Sequence, residues 1–236
     1  MKPAHCVIAL ALLAVGLLLM AGPGARMHWW AFGMGFQLLR WAAYLGTGVA
    51  GLAVLLLVLP RTRRASAGML VAALVIGAAV AYMPWHGLQK ARSLPSIHDI
   101  TTDTADPPAF VAVLPLRADA PNSAEYEGDA IAKAQRAGYP DLAPLHIALP
   151  PEAAFALALE KAKAMGWEVV GADPASGRIE ATDTTLWFGF KDDVVVRVRP
   201  DGSGSRVDVR SVSRVGESDV GTNAARIRMY LERLSD

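Results

Sequence analysis

Residues 194–213 read VVVRVRPDGSGSRVDVRSVS, and this stretch decides the fold of the C-terminal half of the chain. Apolar and polar residues alternate on both sides of a glycine-rich turn, a pattern typical of two antiparallel strands. The register that follows pairs three positions across the hairpin, namely Val198 with Val207, Val196 with Val209, and Arg197 with Asp208. The valines are expected on the buried face of the sheet and the charged pair on the solvent face.

Further regular elements flank this hairpin. Hydrophobic periodicity and glycine or proline bounds predict four of them: a helix over 151–166, strands at Trp167–Gly171 and Arg178–Phe190, and a helix at Asp219–Leu234. In the second strand the apolar side chains switch from odd-numbered to even-numbered positions, which would move them to the other face of the sheet. A bulge or bend is therefore expected near Asp183–Thr185. The order helix, four antiparallel strands, helix predicts one α+β domain over residues 151–236, with both helices on the apolar face of the sheet. This order is similar to the helix-grip modules of some envelope lipoproteins.

A proline-rich segment, residues 91–150, precedes that domain. Nine of the 15 prolines in the chain lie between Pro95 and Pro151, and proline excludes long helices. The segment is therefore predicted to be an extended arm packed on the α+β domain, with a strand at Phe110–Leu114 and a helix at Asn122–Ala137.

Residues 1–90 have a different composition. They contain no Asp or Glu and seven basic residues, whereas residues 91–236 contain all 22 acids against 16 bases. Three uncharged apolar runs, each near the 20 or so residues that a membrane-spanning helix needs, predict transmembrane helices; they are Ala4–Gly22, Trp41–Leu59 and Ala67–Met83. This charge distribution excludes a wholly soluble enzyme, a disordered chain and a basic nucleic-acid binder.

The loops predict an orientation in the membrane. Arg61-Thr62-Arg63-Arg64 connects the second and third runs, and positively charged loops stay in the cytoplasm. Residues after Met83 are then expected outside the cytoplasm, in the periplasm of a bacterial inner-membrane protein. Two alternatives stay open: the first run could be a cleaved signal peptide, and the helices could transport a solute.

Several motifs of the second half occur together in one order, and they resemble the uncharacterised bacterial and chloroplast family called domain of unknown function 1499. The motifs are 97–103 (IHDITTD), 107–110 (PPAF), 178–182 (RIEAT), 189–194 (GFKDDV), 208–214 (DVRSVSR), 219–221 (DVG), Asn223 and 226–227 (RI). The resemblance covers about residues 92–234. It implies a small domain often attached to membrane spans, and it implies no established activity, cofactor or catalytic residue.

The segment 210–214 (RSVSR) is the first candidate site. Alternation along a strand places Arg210 and Arg214 on one face and Ser211 and Ser213 on the other. Two guanidinium groups about 13 Å apart along a strand could bind two anionic groups of a larger ligand. The alternative is that the arginines pair with carboxylates of adjacent strands, namely Asp183, Asp192 or Asp193.

The proline-rich arm contains the second candidate site. One histidine and three carboxylates lie close in sequence there, His98, Asp99, Asp103 and Asp106, and such a set could hold a divalent metal. Ordinary turn formation by aspartate is the alternative. A hydrolase using Ser211 or Ser213 with His98 or His146 lacks the G-x-S-x-G motif.

The sequence therefore predicts a membrane-anchored envelope protein whose outer domain is a binding module and not an enzyme. The predicted partners are the lipid bilayer and either an envelope protein or a small anionic ligand, without nucleic acid and without a cofactor. The residues expected to bind are Arg210, Ser211, Ser213, Arg214, His98, Asp103 and Asp183. A hydrolase or metal-dependent enzyme using the His98–Asp106 arm is the alternative function.

Overall fold

The computed structural model describes residues 3–235, and they divide into two compact units. The first unit runs to Lys90 and also contains Leu186–Gly189, whereas the second comprises Ala91–Thr185 and the residues from Phe190 onward.

The first unit is built on three long helices, α1 (Pro3–Arg26), α2 (Phe32–Val58) and α3 (Pro60–Ser93). All three are long and apolar enough to cross a membrane, which confirms the three predicted apolar helices. Each helix extends beyond its apolar run, because a helix satisfies its own backbone hydrogen bonds wherever side chains permit. The backbone of α3 leaves helical geometry at Ser66, just after the arginine-rich first turn of this helix.

Two glycines allow α2 and α3 to pack closely. A Cβ atom on Gly46 would lie 2.7 Å from the carbonyl oxygen of Gly77, and one on Gly77 would lie 2.6 Å from that of Gly46. Both distances are too short for a real side chain. Close helix contact through glycine is the ordinary way in which apolar helices associate in lipid.

The second unit is an α+β domain around one antiparallel sheet. The strands are β1 (Asp99–Thr101), β2 (Leu145–Ile147), β3 (Glu168–Asp173), β4 (Arg178–Thr184), β5 (Lys191–Asp201) and β6 (Gly204–Ser213). Their order in the sheet is β1-β6-β5-β4-β3, with β2 also paired to β6. The sheet therefore contains six strands, and the expected count of four was too low because β1 and β2 have only three residues each.

The predicted register of the β5–β6 hairpin is confirmed. Val198 pairs with Val207, Val196 with Val209, and Arg197 with Asp208. The expected exposure of the charged pair is wrong, since the side chain of Asp208 is completely buried and that of Arg197 is 18% exposed. A segment of the arm covers this face of the sheet, so it is not a solvent face.

Two helices pack on the other face of the sheet, α5 (Pro151–Ala164) and α6 (Thr222–Ser235). Their small and apolar side chains join the valines of β5 and β6 in the main core. Gly166, with φ of 80°, follows α5 in the left-handed conformation that ends many helices. Trp167 stacks on Tyr230 with 4.8 Å between the ring centroids, which ties the start of β3 to α6.

Three local predictions for the second unit need correction. Residues 110–114 form no strand, because Leu114–Arg117 is a short 3₁₀ helix that turns the chain. The helix expected at Asn122–Ala137 is shorter, α4 (Asp129–Gly138), since Asn122 hydrogen-bonds elsewhere. No bulge is needed near Asp183, because β4 ends at Thr184; the register shift of this sheet lies in β3, between Val169 and Gly171.

Candidate functional site

Strand β6 presents polar side chains to both faces of the sheet. Arg210 and Arg214 lie on the face covered by the arm, and Ser211 and Ser213 lie on the face that packs against α6. The arm reaches its face through Phe110 and Val113, which join Val195 and Val212 in a small second core. The two arginines are thus held on the face covered by the arm, and the two serines are held against α6.

Arg210 is held by the start of the arm. Its Nε and Nη2 atoms donate to the two carboxylate oxygens of Asp99 at 2.9 Å and 2.7 Å, and both side chains are 2% exposed. The guanidinium group also lies 5.1 Å from the ring centroid of Phe110 and 5.4 Å from that of Tyr126. Burial raises the pKa of Asp99, and the bonds from Arg210 oppose that rise. Burial also raises the pKa of Tyr126 to about 12.

Arg214 belongs to a second cluster, in which two arginines share one carboxylate. Asp193 of β5 accepts hydrogen bonds from Arg214 at 2.9 Å and 2.8 Å, from Arg117 at 2.6 Å and from Thr182 at 2.7 Å. Burial alone would raise the pKa of Asp193, but these hydrogen bonds outweigh it and lower the pKa. The Arg214 side chain is 14% exposed, so this cluster reaches the surface at Arg214.

The two serines of β6 form part of a third cluster, on the α6 face. Ser211 donates to Asn223 at 2.7 Å, and the Asn223 amide donates to Ser213 at 3.0 Å. Arg226, one turn further along α6, donates to Ser211 at 3.0 Å and to Asp183 at 2.7 Å. The structure therefore brings Ser211, Ser213 and Asp183 together, and it separates them from Arg210 and Arg214 by the thickness of the sheet.

Asp192 completes this third cluster. It accepts from Arg226 at 2.6 Å, and both side chains are buried. Asp219 lies just before α6 and accepts from the backbone amides of Gly221 and Asn223 at 3.0 Å and 2.6 Å, which caps the helix. Burial raises the pKa of Asp219.

His98 contacts the third cluster through its backbone, since its carbonyl oxygen accepts from the Asn223 amide at 2.9 Å and from the backbone amide of Ser213 at 3.0 Å, but its side chain lies apart from Asp103. The Nε2 atom of His98 lies 3.8 Å from Glu127, whereas Asp103 pairs with Arg206 near the other end of β6. Five residues of extended chain separate the two, which is about 16 Å at the rise of a strand.

Each carboxylate of the arm has a nearest arginine partner, although Asp103 and Asp106 both also lie within 4 Å of Arg197 and Arg199. Asp99 pairs with Arg210, Asp103 with Arg206, and Asp106 with Arg199. Asp103 also forms a turn, since its carboxylate accepts from the backbone amides of Ala105 and Asp106 at 3.0 Å each. Burial would raise the pKa of Asp103, but these backbone hydrogen bonds and the nearby arginines lower it. Within residues 3–235 no group of three or more His, Cys, Asp or Glu side chains could hold a metal ion.

Sequence reasoning did not predict that Arg117, Asn223 and Arg226 belong to these clusters. Asn223 and Arg226 lie one helical turn apart and on the same side of α6 as the apolar Ile227, a pattern that indicates buried polar groups. Both also belong to the motifs quoted above. Arg117 has no comparable signal, because its partner Asp193 is 76 positions away in sequence.

A family model described as a protein of unknown function (DUF1499) matches residues 99–234. This match covers more than half of the chain and includes all three clusters. The protein belongs to this family, here with three apolar helices ahead of the family domain. No curated protein sequence matches the chain.

Proposed function

We propose that this protein is anchored in the bacterial inner membrane and acts in the cell envelope, with the family domain outside the cytoplasm as a binding module. One observation carries the orientation: Arg61, Arg63 and Arg64 lie where α2 ends and α3 begins. Cationic connections of this kind stay in the cytoplasm. Three crossings then deliver the chain after Ser93 to the other side.

Reporter fusions test the orientation. Alkaline phosphatase fused after Asp236 is expected to be active, because it folds only outside the cytoplasm, and green fluorescent protein at the same place is expected to stay dark. A fusion after Thr62 is the matched control and is expected to give the opposite result. Fluorescence after Asp236 with an inactive phosphatase would contradict the proposal.

The charge of the Arg214 cluster supports the binding module and an anionic ligand. Arg117 and Arg214 share the single carboxylate of Asp193. Lys191 adds a third cation at the same end of the sheet, since its carbonyl oxygen accepts from the Arg214 amide at 3.0 Å. Glu168 is a second acid near Arg214. Two arginines therefore bond to one carboxylate beside a side chain that reaches the surface, and Lys191 lies at the same end of the sheet. A small dianion, or an acidic segment of an envelope protein, fits this charge excess.

A thermal-shift titration with two small dianions, phosphate and succinate, tests anion binding by the full chain in detergent. A ligand that binds only the folded protein raises the midpoint of unfolding. Arg214→Ala is expected to abolish this rise, and the variant should fold because Asp193 keeps its bonds to Arg117 and Thr182.

Arg228→Ala is the matched control. Arg228 forms a similar two-bond pair with Asp141 on the exposed side of α6, at 2.6 Å and 2.7 Å. This variant is expected to keep the rise in midpoint. The proposal is contradicted if neither dianion stabilises the wild-type protein, or if the stabilisation persists in Arg214→Ala.

The prediction that the domain is similar to helix-grip modules is supported by α5 and α6, which pack side by side on one face of the sheet. It stays a prediction.

A further inference from the structure

The connection between β4 and β5 differs from the other hairpin turns of the sheet. It contains three consecutive large apolar residues, Leu186-Trp187-Phe188. Leu186 is 88% exposed and Trp187 is 39% exposed. The β3–β4 and β5–β6 turns consist instead of small and polar residues. A hairpin tip this apolar indicates an environment other than bulk water.

The contacts of this tip lie within the first unit, among the apolar helices. Phe188 lies 5.1 Å from the ring of Phe36 in α2, measured between centroids. The carbonyl oxygen of Leu186 accepts a hydrogen bond from Arg26, the last residue of α1, at 2.5 Å.

Two glycines of the helices make room for the rings of the tip. A Cβ atom on Gly22 of α1 would collide with the indole of Trp187. One on Gly35 of α2 would lie 2.8 Å from the ring of Phe188. The two aromatic rings therefore occupy notches that only glycine leaves open. This fit holds the tip against the C-terminal end of α1 and the N-terminal end of α2, the two helix ends that the α1–α2 connection joins.

The surroundings of the tip have the composition of a membrane–water interface. Trp29, in the α1–α2 connection, is 61% exposed, and Phe32, the first residue of α2, is 44% exposed. Gly22 is the last residue of the first apolar run, so this end of α1 falls at the edge of the hydrocarbon. Tryptophan and other aromatic rings concentrate at that depth, and an arginine such as Arg26 extends from it towards lipid phosphates.

We infer that Leu186-Trp187-Phe188 inserts into the interfacial layer of the phospholipid bilayer that α1–α3 cross. The occupant of this apolar surface is lipid, because the surface is continuous with the membrane-spanning helices and has an arginine beside it. Leu186 enters the acyl-chain boundary, and the rings of Trp187 and Phe188 lie against α1 and α2. The inference rests on the helices of the proposed function crossing the membrane, and not on which side the family domain occupies.

A fluorescent probe at Leu186 tests the insertion. The only cysteine, Cys6, is replaced by alanine and Leu186→Cys is labelled with a nitrobenzoxadiazole dye. The full chain is reconstituted into vesicles of phosphatidylcholine and phosphatidylglycerol. We expect emission at a shorter wavelength than in water, strong quenching by lipids with a nitroxide near the head group, and weak quenching by aqueous iodide.

Two matched probes complete the experiment. Ser203→Cys labels the exposed β5–β6 turn, and its dye is expected to respond to iodide and not to nitroxide lipids. Leu12→Cys labels a 61% exposed position inside α1, and its dye is expected to respond to nitroxides deep in the acyl chains. If the Leu186 dye behaves like the Ser203 dye while the Leu12 dye is quenched by lipid, the insertion is refuted. Failure of the Leu12 dye would refute the membrane crossing itself, and the reporter fusions address orientation independently.

Discussion

Arg210 and Asp99 form a bidentate ion pair that joins the middle of the last strand to the first strand of the sheet, 111 positions away in sequence. Both side chains are 2% exposed. A buried pair of this kind costs much desolvation, so its removal from one side is more damaging than the loss of an exposed pair.

Arg210→Met is therefore expected to lower the free energy of unfolding by about 3–5 kcal/mol, since Asp99 would keep a buried charge without a counter-ion. The measurement is urea unfolding of the full chain in detergent. Arg228→Ala breaks an exposed pair with Asp141 and is expected to cost only about 0–1 kcal/mol. Equal losses in the two variants would contradict the structural role of the Arg210 pair.

Asp219 gives the stability of the domain a pH dependence. Burial raises the pKa of Asp219 in the folded protein above 3.8, its ordinary value in the unfolded chain. At a pH between the unfolded and the folded pKa, the folded state therefore holds a proton that the unfolded state has released. This contribution to stability is present below pH 3.8 and is lost as the pH rises through the folded pKa. Asp219→Asn keeps an oxygen to cap α6, and it is expected to flatten the fall in unfolding free energy above pH 3.8. An unchanged slope would show that Asp219 does not titrate there.

Gly177 of the β3–β4 turn is predicted to be harder to replace than Gly202 of the β5–β6 turn. It has φ of 64°, and a Cβ atom there would collide with the carbonyl oxygen of Val198. Gly202, in the β5–β6 turn, has φ of 57° but open space around it. Gly202→Ala is expected to cost about 1 kcal/mol of unfolding free energy, from backbone strain alone. Gly177→Ala is expected to cost clearly more, and urea unfolding of the two variants measures the difference.

The glycine contact between α2 and α3 makes a prediction for the membrane helices. Gly46→Leu would force the two backbones apart, because the added side chain meets the Gly77 carbonyl oxygen. We expect a lower midpoint of thermal unfolding in detergent and a lower yield of folded protein. Gly48→Leu is the control, since no atom lies within 4 Å of its added Cβ. Similar behaviour of the two variants would contradict the close packing at Gly46.

The parts of the fold that sequence could predict are those fixed by neighbours along the chain. The register of Val196 and Val209 followed from alternation about a single turn. The pairing of Asp99 with Val212 in β1–β6 could not follow in this way, because no local pattern identifies a partner more than 100 positions distant.

The same distinction applies to the candidate site. Alternation along the strand predicted that Arg210 and Ser211 lie on opposite faces of the sheet, and the structure confirms this. It could not reveal that the arm buries Arg210 or that Arg117 shares Asp193 with Arg214. These contacts depend on the path of an irregular, proline-rich segment, where neither helical nor strand periodicity applies.

The position of β1 at the edge of the sheet has a consequence for how the protein matures. Three pairs of consecutive strands, β3–β4, β4–β5 and β5–β6, form a meander that can assemble as the chain is synthesised. β1 is synthesised first, but it cannot pair until its partner β6, more than 100 residues later in the chain, has been synthesised. Closure of the arm on the sheet therefore requires β6 to be present, and a nascent chain halted before Gly204 would have its first strand still unpaired.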